Sequence, residues 1–247
     1  MDLTEYRTSE SERQRNSSLI DLIPDDVGTA LDVGARDGFF SRVLADRISA
    51  VTALDLEKPS IVDARIHCVQ GNATDLQFED GAFDLVFCAE VLEHIPGKAL
   101  DIACRELARV TKRYLLIGVP YRQDIRNGRS TCGTCGGKNP PWGHVNTFDE
   151  KRLLRLFPHC EVVRKSLVGT GDIRTNALSC KLMDLAGNPY GSYDQEETCV
   201  HCGVVLSPPP PLSYPKRILA KTAVLTQDLQ QLFARPTPNW IHILFRR

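Results

Sequence analysis

Between Thr29 and Val119 short apolar runs alternate with helix-patterned segments, and this alternation restricts the fold more than any other feature of the chain. Thr29–Ala35 (TALDVGA), Ala50–Leu56 (AVTALDL), Arg65–Gln70, Phe83–Cys88 (FDLVFC) and Tyr114–Val119 (YLLIGV) each read as a buried strand. Helical segments are predicted at Phe39–Asp46, weakly at Ile61–Ala64, and at Lys98–Val110. In the last, Leu100, Ala103, Leu107 and Val110 recur at helical spacing and share one side. Strands separated by helices predict an α/β fold, a parallel sheet covered on both faces. Right-handed crossovers then settle most of the topology.

The charged residues 1–15 are expected to fray, and a short helix is predicted over about Glu10–Ile23, stopped by Pro24. Beyond Pro120 the pattern breaks. Residues 122–145 show no periodicity, a helix is predicted at Phe148–Phe157, and Cys160–Val168 reads as a sixth strand. Residues 170–212 are again irregular and end in Pro208–Pro211, which reads as a stiff connector. A helix over about Pro215–Ala234 and a last strand, Trp240–Arg246, complete the chain. No internal repeat is present. The expectation is a single domain over 1–247 with two inserts, 122–147 and 170–212.

A chain of 247 residues with 42% apolar and 25% charged residues can bury a large core and has the composition of an ordinary globular protein. Thirty basic against 31 acidic residues, net charge −1, argues against a dedicated nucleic-acid or anionic-membrane binder. No apolar run approaches the roughly 18 residues of a membrane span. The N-terminal MDLTEYRTSESERQRN has no apolar signal region, so a cytoplasmic protein is expected. A reducing compartment disfavours disulfides, and nine cysteines cannot all pair within the chain. Some should be metal ligands and others core fillers.

The cysteines divide by spacing. Cys132-Gly133-Thr134-Cys135-Gly136 and Cys199-Val200-His201-Cys202-Gly203 are two Cys-x-x-Cys-Gly knuckles. Four thiolates can surround one zinc tetrahedrally and leave no open position, which predicts a structural metal tying the two inserts together. Neither knuckle has the strand–CxxC–helix context of a redox motif. His201 is expected to point away from the metal. Cys68, Cys88, Cys104, Cys160 and Cys180 stand singly, and four of these fall in predicted strands or a helix, where they read as core residues.

The strand ends carry the remaining motifs. In Leu31-Asp32-Val33-Gly34-Ala35-Arg36-Asp37-Gly38 an acidic residue ends a buried strand and glycines follow at the turn into a helix. Gly34 permits a sharp turn and close approach of a ligand to backbone N–H groups. Ligands of open α/β sheets bind at such carboxyl ends, although a lone pair of glycines also suits an ordinary strand–helix turn. Asp55 follows about twenty residues on, where a carboxylate can accept both hydroxyls of a ribose or simply cap a turn. Gly71-Asn72-Ala73-Thr74-Asp75-Leu76 forms a polar turn after strand three. Ala89-Glu90-Val91-Leu92-Glu93-His94-Ile95 leads from strand four into a loop facing the centre of such a site.

With these four pieces in order, the chain resembles the class I S-adenosylmethionine-dependent methyltransferases, of the type that includes ubiquinone and menaquinone methylases. The resemblance covers about Leu31–Val119, and the later strands fit it too. It implies a Rossmann-like, seven-stranded, mostly parallel sheet whose last strand runs antiparallel between five and six. It also implies S-adenosylmethionine as cofactor. Asp32 and Gly34 would line its methionine and ribose region, with Gly38 supporting the turn. Asp55 would hold the ribose hydroxyls and Leu56 would pack on the adenine. Asn72 and Ala73 would contact the adenine amino group, with Asp75 a second candidate there. Ala89 and Glu90 would border the methyl group. The chain departs from the family at Arg36, where a glycine is usual.

The expected function is transfer of a methyl group to a small-molecule or glycan-like acceptor, by O-methylation. A hydroxyl acceptor is helped by a base near neutral pKa, and His94 and His144 are the candidates. Capping or a surface hydrogen bond is the alternative for His94, and a structural role for His144. Asn139-Pro140-Pro141-Trp142 spells the tetrapeptide of amine-methylating families, but it falls after strand five instead of strand four and reads as loop structure. One rival is an RNA or protein methyltransferase that docks substrate on the zinc knuckles, with Arg122, Arg126, Arg129 and Lys138 as a modest basic cluster. Another is a non-catalytic binding or partner subunit that keeps the fold, to which the Arg36 departure points.

Overall fold

The computed structural model describes residues 9–171, 174–195 and 197–247. It divides into two compact units: Met1–Tyr121 with Phe148–Thr170 and Pro238–Arg247, and Arg122–Thr147 with Gly171–Thr237.

The first unit is built on a seven-stranded sheet. Its strands are β1 (Thr29–Val33), β2 (Ala50–Asp55), β3 (Ile66–Gln70), β4 (Phe83–Ala89), β5 (Thr111–Pro120), β8 (Glu161–Val168) and β9 (Trp240–Arg246). Their spatial order is β3-β2-β1-β4-β5-β9-β8. The pairs β1–β2, β1–β4, β2–β3 and β4–β5 are parallel, whereas β9 runs antiparallel to both neighbours. This is the mostly parallel sheet with an antiparallel last strand that the resemblance implies. β4 and β9 are buried almost end to end, which explains why their sequences are apolar without alternation.

Helices α1 (Glu10–Asp21), α2 (Phe39–Ala45), α3 (Gly97–Val110) and α4 (Glu150–Leu156) cover the sheet. One core packs Leu100, Ala103, Leu107 and Val110 of α3 and Leu153 of α4 against Leu31, Val86 and Ile117. The other packs Leu19 of α1 and Leu44 of α2 against Ala30, Leu85 and Leu244. The parallel register brings the carboxyl ends of β3, β2, β1 and β4 to one edge. A 3-10 turn, Leu92–His94, follows β4.

The expected helices hold within a residue or a few, with one exception. Residues 61–64 form no helix: so short a segment cannot repay helix nucleation, and Ile61 packs instead into the second core. The expected fraying of residues 1–15 fails from Glu10 onward, where α1 begins, its cap the Ser9 hydroxyl accepting from the Glu12 amide at 3.3 Å. Residues 1–8 lie outside the described residues.

The second unit holds a two-stranded hairpin, β6 (Ser130–Thr131) with β7 (Lys138–Asn139), and helices α5 (Ala177–Ala186) and α6 (Tyr214–Gln231), which pack on each other. α5 falls in a stretch read as irregular. Its signals were local: Asn176 and Ser179 form a reciprocal capping box and Gly187 ends the helix in the left-handed region. Among the described residues no helix is long and apolar enough to cross a membrane.

Candidate functional site

The edge formed by the carboxyl ends of β1 to β4 collects the residues expected to hold a cofactor. Asp32, at the end of β1, is buried and accepts a hydrogen bond from the Ser41 hydroxyl at 2.6 Å. Burial, against that hydrogen bond, pushes its carboxyl up to about 7, and the nearby Asp55 and Asp37 add to the rise. Gly34 follows with φ +82°, and its amide donates to the Leu54 carbonyl of β2 at 2.8 Å. A Cβ here would lie 2.3 Å from Val91 Cγ2, so the turn after β1 and the loop after β4 meet through the missing side chain. Gly38 adopts φ +78° and leaves room for Ile61 in the same way.

Arg36 occupies the position where a glycine was expected, and it too is left-handed, at φ +48°. The conformation has a partner. The Arg36 amide donates to Asp55 Oδ2 at 2.8 Å, while Asp55 Oδ1 accepts from the Leu56 amide at 2.7 Å. Asp55 therefore ties the β1 turn to the β2 turn, and Leu56 beside it stands 66% exposed, an apolar surface open to a ligand. Asn72 Oδ1 accepts from both the amide and the hydroxyl of Thr74 at 2.9 Å, which shapes the turn after β3, and Ala73 is buried. Asp75 bridges back to Asn72.

Ala89 ends β4. Glu90 follows in the left-handed region at φ +56°, with its amide on the Gly118 carbonyl at 3.0 Å. A non-glycine residue held there stores strain of about 1–3 kcal/mol, a feature that clusters at functional sites. Its Oε2 takes Arg15 Nη1 at 3.1 Å and Trp240 Nε1 at 3.3 Å. Burial raises the Glu90 carboxyl despite the opposing Arg15. Arg15 also pairs with the buried Glu12 at 2.8 Å. Arg15 and Trp240 were missed in the sequence: they come from opposite ends of the chain, and no local spacing links them to Glu90. His94 lies at the end of the 3-10 turn and is exposed.

In the second unit the two knuckles come together. Cys132 Sγ lies 3.7 Å from Cys202 Sγ, and Cys135 Sγ lies 3.6 Å from Cys199 Sγ. All four sulfurs fall within 4.8 Å of one another. Four sulfurs at about 2.3 Å from one zinc would stand roughly 3.8 Å apart, so the spacing fits the metal. Gly136 and Gly203 close the knuckle turns at φ +71° and +74°. Asn139 Oδ1 accepts from the Val200 amide at 2.9 Å, linking the first knuckle's hairpin to the second knuckle. The asparagine of the Asn139–Trp142 tetrapeptide thus serves loop structure. His201 turns its ring toward the Lys138 carbonyl, 3.1 Å away. Arg126 and Arg129 of the basic cluster are engaged with Asp124 and Asp184. His144 is buried, with Nδ1 2.6 Å from Gln123 Oε1.

Residues 31–115 match the methyltransferase domain family. Over that span the chain is similar to a methyltransferase domain. A ubiquinone biosynthesis O-methyltransferase of Idiomarina loihiensis is 38% identical over 85 residues, 30% of this chain and 35% of that protein. The homologue from Pseudomonas paraeruginosa is 36% identical over 92 residues, 33% of this chain and 40% of that protein. The chain thus spans well under half the length of these curated relatives. Among solved structures, the N-methyltransferase NodS from Bradyrhizobium japonicum superposes with a TM-score of 0.55 at 14% identity, over 98% of each chain, a likeness of fold. The strand-end turns described above, from Asp32 to Glu90, lie within the matched span.

Proposed function

We propose that the chain is an S-adenosylmethionine-dependent methyltransferase that methylates an oxygen of a small-molecule or glycan-like acceptor. The observation that carries this is the row of turns at one sheet edge: Asp32–Gly34–Gly38, Asp55–Leu56, Asn72–Ala73 and Ala89–Glu90. The donor set suits the cofactor. A carboxylate already poised at backbone N–H groups, Asp55, can take ribose hydroxyls, and exposed Leu56 offers an apolar face to adenine. Asn72 and Ala73 would meet the adenine amino group, and Asp32, Gly34 and Gly38 the methionine end. When bound, S-adenosylmethionine supplies a sulfonium-activated methyl group.

The chain's own work is to orient the acceptor, exclude water and take a proton. His94 and His144 are the candidate bases. The oxygen acceptor is favoured by the name of the curated relatives and by the tetrapeptide's use as loop structure. The four cysteines would hold a structural zinc that orders the second unit, and nine cysteines with this metal site favour the cytoplasm.

Calorimetry with S-adenosylmethionine tests the reading. Saturable binding weakened at least tenfold by Asp55→Ala is expected; absence of binding in the intact chain would sink it. His144→Ala should lower turnover and leave cofactor affinity nearly unchanged if His144 is the base.

A further inference from the structure

Helix α6 buries one face and leaves the opposite one apolar and uncovered. Small Ala220 and Ala223 mark the buried face. At about 100° per residue, Tyr214, Ile218, Leu225, Leu229 and Leu232 fall in one stripe roughly 60° wide on the other side. These five side chains are 50% to 77% exposed. A helix packed on one side ordinarily turns polar residues to water, and a contiguous row of large apolar side chains there marks a face that another surface covers. One flank of the stripe is charged. Arg217, Lys221 and Asp228 lie along it, the cations in the first half of the helix and the anion in the second. Among the described residues neither Lys221 nor Asp228 has an ion-pair partner. Seven positions apart on one helix, they stand roughly 10 Å from each other along the axis, too far to pair.

We propose that this face is a two-fold interface between copies of the chain, with the two α6 helices antiparallel. Such a pairing sets each flank against the same flank of its partner, running in the opposite direction. Centred on Ala223, the midpoint of the stripe, it lays Tyr214 over the partner's Leu232. It also puts Asp228 level with the partner's Ile218, within one turn of the partner's Arg217 and Lys221. Both halves of the charged flank then meet opposite charge, and the contact occurs twice by symmetry. Flanking charges of this kind fix the orientation of paired helices. A parallel pair would instead turn the charged flank toward Thr222 and Phe233 of the other side. An anionic lipid surface would attract Arg217 and Lys221 but repel Asp228, whereas a second copy satisfies all three. One short helix pair gives an association that depends on concentration. The interface is independent of the methyl-transfer reading.

Sedimentation velocity of the intact chain, from micromolar to millimolar concentration, tests the interface. A monomer–dimer equilibrium is expected. Leu225→Glu sets two like charges beside the two-fold axis and should leave only monomer, with thermal unfolding unchanged because the side chain is exposed. Asp228→Lys should raise the dissociation constant by about tenfold. Adding Arg217→Glu and Lys221→Glu to that chain inverts every charge on the flank and should recover the dimer. A wild type that stays monomeric throughout, or a dimer indifferent to Leu225→Glu, would overturn the interface. Failure of the triple variant to recover would overturn the antiparallel pairing. Monomeric wild type that co-sediments with phosphatidylglycerol vesicles would assign the stripe to a membrane surface instead.

Discussion

Arg15 on the N-terminal helix reaches Glu90 at the end of β4, Nη1 to Oε2 at 3.1 Å, across 75 positions of chain. The pair couples the helix to the strained residue that closes the central strand. Its loss would leave Glu90 and the buried Glu12 facing each other without a cation.

Arg15→Ala should therefore destabilise the protein by roughly 3 kcal/mol, near the low end for a buried pair because Glu90 keeps some solvent contact. Urea unfolding at pH 8 measures it. The loss should shrink as pH falls, because burial raises the Glu90 carboxyl and its protonation relieves the repulsion. A loss independent of pH would show that packing of the Arg15 stem, and not its charge, is what matters.

Two buried groups pull the pH dependence of stability in opposite directions. Asp32 has its carboxyl pushed up to about 7 by burial, so its contribution is full below about pH 4 and is lost as pH rises toward 7. His242 on β9, buried beside the Ser18 hydroxyl at 2.9 Å, is pushed down to about 3 by burial. Its contribution is full above about pH 6.5 and is lost as pH falls toward 3. Asp32→Asn should raise stability at pH 8 relative to pH 5, by up to roughly 4 kcal/mol. His242→Gln should flatten the acid side instead. Parallel stability curves for wild type and both variants, from pH 4 to 8, would contradict both assignments.

Gly34→Ala should be among the most damaging single changes in the first unit. The new Cβ meets Val91 at 2.3 Å, and the backbone conformation at φ +82° suits glycine alone. A cost of about 2–3 kcal/mol is expected, from strain plus displacement of the loop after β4. Thermal unfolding would register it, and cofactor affinity should fall with it. Val91→Ala in the same background should restore part of both.

Elemental analysis of the purified chain should find about one zinc, by the closed tetrahedral donor set. Cys135→Ser or Cys199→Ser should abolish it. Because zinc would organise the second unit, chelation should loosen that unit first, read as faster amide exchange at Thr131–Asn139 and Thr198–Val205 than in β4. Retained protection there after complete metal removal would assign the ordering to the polypeptide alone.

Much of this architecture was legible because it is local. A buried parallel strand writes itself as an unbroken apolar run, and β1, β2, β4 and β5 lie within a few residues of the expected bounds. The knuckles are legible for the same reason, since two sulfurs three positions apart can share a metal wherever the chain lies. Two segments were misread. Ile61 looked helical but serves as packing against Gly38, and α5 was hidden by its irregular flanks.

Sequence by itself determined the strand–helix alternation, the glycine turns and the pairing of cysteines within each knuckle, because each depends on residues a few positions apart. Tertiary structure alone decided that Arg36 adopts the glycine conformation because Asp55 receives its amide, and that Arg15 and Trp240 converge on Glu90 beside the unpartnered Glu93. Such contacts join residues as far as 150 positions apart. No periodicity encodes them; they form because burying the sheet leaves these polar groups only one another to satisfy.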